Sequence, residues 1–70
     1  MKVISSDIIY ELFTVTVDAY NHGKKNGDII TDDSGRKFKI ESVAMTNSHK
    51  DTTFVLKPLD GKMKIGEYVE

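Results

Sequence analysis

Residues 13–20 read Phe-Thr-Val-Thr-Val-Asp-Ala-Tyr, and their alternation decides the fold class. Phe13, Val15, Val17 and Ala19 fall on one side of a two-residue repeat. Thr14, Thr16, Asp18 and Tyr20 fall on the other. One apolar and one polar face, built from β-branched and aromatic residues, is the pattern of a half-buried strand. Just upstream two readings stand open. Ser6 can cap a single helical turn from Asp7 to Tyr10, with Ile8, Ile9, Leu12 and Phe13 on one face. The Ile8-Ile9 pair and the Thr-Val repeat favour extended chain instead, as one strand running from Ile8 to Tyr20.

The rest of the chain repeats this grammar. The stretch from Ala19 to Asp28 contains Asn21, Gly23, Asn26 and Gly27 and reads as a loop or two closely spaced turns. Ile29 to Thr31 is a short strand, and Asp32-Asp33-Ser34-Gly35 a tight turn with Gly35 in the left-handed position. Lys37 to Met45 is a long strand with Phe38 and Ile40 inward and Lys37, Lys39 and Glu41 outward. Its phase shifts at Val43 and Met45, which predicts a bulge near Ser42 or burial of both faces. Thr52 to Leu59 is a strand ended by Pro58, with Phe54 and Leu56 inward and Val55 and Lys57 outward. Asp60-Gly61 marks a turn, and Lys64 to Val69 a short last strand. Short strands with turns between them predict an all-β fold, a small barrel or sandwich in a single domain over residues 1–70, of which a small antiparallel β-barrel of about five to six strands is the one expected. Closure removes the edges that invite aggregation.

Composition narrows the function. The chain has 70 residues, no cysteine, and 10 Lys and Arg against 11 Asp and Glu, a net charge of −1. Such a core is small, and neither a disulfide nor a cysteine-held zinc supports it. The general excess of base that goes with strong non-specific nucleic-acid binding is absent, so any such surface must be a local face. No apolar run is long enough to span a bilayer, and Asp7 and Glu11 interrupt the N-terminal apolar residues, so no leader is read. The expected location is the cytoplasm, with no membrane partner, and the opening Met is compatible with a complete chain.

From Asn26 onward the residues resemble the second domain of translational GTPases, the small β-barrel that follows the nucleotide-binding domain in elongation factor Tu and its relatives. Gly27-Asp28 opens Ile29-Ile30 as the family's Gly-Asp pair opens a short strand. The turn Asp33-Ser34-Gly35 and the basic-hydrophobic run from Arg36 to Val43 follow in the family's order. Val55 to Gly61 and Ile65 to Val69 resemble its closing pieces, and Phe13 to Ala19 sits where its first barrel strand sits. The resemblance implies a domain II-like barrel and contact with RNA or a ribonucleoprotein, since the family's barrel helps hold the aminoacylated end of transfer RNA and touches the ribosome. The family's long hairpin is cut to the loop from Tyr20 to Lys25. No phosphate-binding loop is present, and none of the family's contact residues matches one to one.

No catalytic, cofactor or metal set is expected, and the chain reads as a binding module and not an enzyme. His22 and His49 sit far apart in polar loops, and zinc requires three or four converging ligands. Asp28, Asp32 and Asp33 lack the spacing of a calcium loop and read as turn-capping acids. No serine stands in a nucleophile elbow. Two candidate surfaces remain. Lys24, Lys25, Arg36, Lys37 and Lys39, with Tyr20 as an aromatic neighbour, form a basic strand face of the kind that holds single-stranded nucleic acid. Val43, Met45 and Val55 fall on faces otherwise read as exposed, and form a candidate patch for a protein partner or a homodimer. The last strand, Lys64 to Val69, is a candidate edge for such pairing.

Overall fold

A computed structural model describes residues 1–19, 23–45 and 51–70, the side chain of Met45 excepted. Tyr20, His22 and His49 lie outside the described residues. Five strands follow one another: β1 (Val3–Ile9), β2 (Leu12–Val17), β3 (Ile29–Thr31), β4 (Lys37–Met45) and β5 (Thr52–Pro58). They form one sheet in the order β1-β2-β5-β4-β3, with every neighbouring pair antiparallel. The described residues contain no helix.

The open N-terminal reading resolves as strand, but as two strands and not one. Ile9 pairs with Leu12, so Tyr10 and Glu11 make a two-residue turn. Both have positive φ, 49° and 68°. This is the conformation of the hairpin turn that matches strand twist, in which Asn-Gly is the favoured pair. Tyr-Glu carries no such signal, and the alternation of residues runs on across it. Lys37 to Met45 forms β4 over the range expected, and the bulge falls between Ile40 and Ser42.

Alternation puts Phe13, Val15, Val17, Ile30, Phe38, Ile40, Phe54 and Leu56 on one face of the sheet, and all are buried together with Val69. No second layer covers that face among the described residues, so the sheet itself must curl around it. The rings of Phe13 and Phe38 show this curl. Their strands are separated by β5, yet the centroids lie 6.0 Å apart. A flat sheet would hold next-nearest strands about 10 Å apart.

The expected last strand is reduced to two isolated bridges, Tyr68 to Lys2 and Val69 to Asp32. The segment nonetheless bonds to both outer strands. The amides of Val3 and Val69 donate to Glu67 and Met1 carbonyls on one side. Thr31 and Glu70 exchange bonds, and Asp33 donates to Tyr68, on the other. From Glu67 to Glu70 both sides of the segment are therefore taken, so the expected pairing edge is not free over those residues.

Candidate functional site

Period-two geometry delivers Lys37 and Lys39 to the solvent face of β4, as expected, and both are exposed. The register adds a third cation. Lys39 stands directly opposite Lys57 of β5 and, on its other side, opposite Ile29 of β3. Like charges directly opposed across strands destabilise a sheet. None of Lys37, Lys39 and Lys57 has a carboxylate within 4.0 Å among the described residues. Lys57 was readable as an outward residue, but nothing local to it says which lysine it faces.

The other basic residues are distributed differently. The loop carrying Lys24 and Lys25 returns to β4 at Ile40, whose carbonyl accepts from Gly27 N at 2.7 Å and whose amide donates to Asp28 O at 2.8 Å. Asp28 Oδ2 holds the loop by accepting from Lys25 N at 3.0 Å. Lys25 is exposed and Lys24 half-buried. Arg36 is drawn into the β3–β4 turn. Its Nη1 donates to Ser34 Oγ at 2.7 Å and lies 3.5 Å from Asp32 Oδ2.

That turn is organised by Asp32, which is 5% exposed. Oδ1 accepts from Ser34 N (3.0 Å), Ser34 Oγ (2.8 Å) and Arg36 N (2.7 Å). Oδ2 accepts from Gly66 N (2.9 Å), across 34 positions of sequence. Burial pushes the carboxyl pKa up, but the bonds from the Ser34 side chain and from the Arg36, Gly66 and Ser34 amides outweigh it. The net shift is downward from 3.8. A Cβ on Gly66 would overlap the Asp33 carboxylate as placed, and the exposed Asp33 side chain would have to turn aside to admit it. The aspartates here serve as turn and tether groups. Among the described residues no three His, Asp or Glu side chains gather as metal ligands.

No family model matches this chain, and neither a curated protein nor a solved structure matches it.

The apolar candidates do not form one patch. The bulge at Glu41 shifts the phase of β4, so Val43 pairs with Phe54 and packs, partly buried, against the core. This corrects its assignment to an exposed face. Val55 lies on the opposite, outer face, half-buried, and lines a shallow depression of about 260 Å³ with Leu12, Glu41, Lys57, Pro58 and Met63. Met45 is placed by its backbone alone, opposite Thr52.

Exposed apolar side chains gather elsewhere. Ile4, Ile8, Ile9, Tyr10 and Leu12 all belong to the β1–β2 hairpin, and Tyr10 at its tip is 95% exposed. Sequence reading missed this cluster because neither of its readings, a strand from Ile8 to Tyr20 or a helical turn from Asp7 to Tyr10, put a hairpin turn at Tyr10-Glu11. Among the described residues no helix is long and apolar enough to cross a membrane.

Proposed function

We propose that this chain is a non-enzymatic binding domain that holds RNA by its phosphate backbone on the outer face of β4 and β5. The observation that carries the reading is the opposition of Lys39 and Lys57, with Lys37 two residues along and no carboxylate paired to any of the three among the described residues. Bound phosphates relieve the like-charge opposition of Lys39 and Lys57, which Glu11 and Glu41, lining the depression beside Lys57, meet with no ion pair among the described residues. Lys25, exposed in the loop that bonds back to Ile40, adds a further cation to this reading. In the same reading, the curled sheet with its last segment bonded to both outer strands is a small barrel of the domain II type. In the translational GTPases that barrel contacts RNA, and the same kind of contact is proposed for this chain.

The test is fluorescence anisotropy with a labelled single-stranded RNA. If three phosphates are neutralised, log K falls against log salt with a slope of roughly −2, so affinity drops about twenty-fold between 50 and 200 mM salt. Lys39→Glu with Lys57→Glu leaves the fold intact, because both side chains are exposed, and abolishes binding. Absence of RNA binding at low salt rejects the proposal.

A further inference from the structure

One edge of the sheet is bare over five residues. Because the hairpin turn has two residues, Ile9 and Leu12 are a hydrogen-bonded pair, and so are Asp7 with Thr14 and Ser5 with Thr16. Ser6 and Ile8 therefore turn their N–H and C=O groups away from β2. The last segment covers the outer edge only as far as Val3. From Ser5 to Ile9 no described residue bonds to that outer edge. An open edge flanked by apolar side chains is a template for strand addition. Here both faces are apolar: Ile8 shares the face of the buried Phe13, while Ile9 and Leu12 occupy the other. Ile8, Ile9 and Leu12 are each about half exposed.

Charge and space select the strand that fits. Full antiparallel overlap with a second copy centres on Asp7 and sets two carboxylates opposite one another, which is destabilising. Sliding the copy one way drives its Tyr10-Glu11 turn into the last segment at Val3. Sliding it the other way leaves Ile8 alone with a hydrogen-bonding partner. We propose that the β1 edge from Ser5 to Ile9 accepts an extended segment of a partner protein that places a Lys or Arg opposite Asp7 and apolar residues beside Ile8 and Ile9. This surface lies on β1, apart from the lysine face of β4 and β5, so the two proposals stand or fall separately.

The Asp7→Lys variant of this chain is the probe, because its own β1 presents a cation opposite Asp7. Asp7 is exposed on the outer face, so the substitution leaves the core untouched. By light scattering, wild type and variant are each expected to measure as a 7.9 kDa monomer when alone. An equimolar mixture doubles that mass. Adding Ser6→Pro to the variant removes one outward N–H without touching the β2 ladder and returns the mixture to monomer. A mixture that stays monomeric at millimolar concentration overturns the proposal. So does a complex indifferent to Ser6→Pro, and so does self-association of either chain alone, since charge would then not select the strand.

Discussion

Asp32 joins two parts of the chain that are remote in sequence, and its chemistry predicts how the fold responds to acid. Its carboxylate takes four hydrogen bonds from the turn and from Gly66. Asp32→Ala leaves these donors without their acceptor and is expected to cost about 2–3 kcal/mol. That is a large part of the roughly 4–10 kcal/mol expected of a domain this size. Because the folded pKa lies below the unfolded value of 3.8, the unfolded chain binds the proton first as pH falls. The contribution is whole above about 3.8 and is lost as pH drops through the lower folded value. Urea unfolding from pH 7 to pH 2 should show this loss in wild type and a flatter profile in Asp32→Asn. An equal acid dependence in both would assign the effect to other carboxylates. Thr52 presents the opposite case. Its Oγ1 is buried with no partner among the described residues. Thr52→Val keeps the shape, removes the orphaned hydroxyl, and should raise stability by roughly 1 kcal/mol in the same urea assay.

At the level of elements, what the sequence disclosed was local and what it hid was pairing. β4 was legible over its whole length, bulge included, because Lys37 to Met45 keeps a two-residue period and then breaks it. The exposed placement of Lys37 and Lys39 followed from the same period. Their opposition to Lys57 did not, since register across strands depends on residues far apart in the chain. The β1–β2 turn was hidden for a different reason. Tyr10 and Glu11 occupy left-handed backbone with side chains that disfavour it, at roughly 1–2 kcal/mol per residue. Converting the pair to Asn-Gly, through Tyr10→Asn and Glu11→Gly together, should raise stability by about 1–2 kcal/mol, read as an increase in the urea midpoint with an unchanged slope. An unchanged midpoint would mean that the turn is not held in this conformation in solution. The present residues also hold a tyrosine in water at the tip of the hairpin, beside the edge proposed to take a partner strand. Strain retained at such a position is consistent with a surface kept for contact.

The molecule as a whole is held by residues that its sequence pattern places at the margin. Alternation correctly gathered the three phenylalanines and their aliphatic neighbours inside a curved sheet, but it gave no sign that Val69 belongs among them at 1% exposure. One apolar residue in a short, glycine-interrupted segment has no period to read. Its position follows from the bonds on either side of it, which tie the start of β1 to β3 and the turn beyond. Val69→Ala should therefore cost roughly 1.5–2 kcal/mol through lost burial, and its effect should spread to both outer strands at once. Amide exchange is the direct measure: the Val3 amide bonds to Glu67, and the Thr31 and Asp33 amides to Glu70 and Tyr68. All three should lose protection together in the variant, while Val15 and Phe54 in the central strands exchange only with global unfolding. If Thr31 and Asp33 open while Val3 stays protected, the last segment belongs to β3 alone, and the sheet keeps its curl without being tied across.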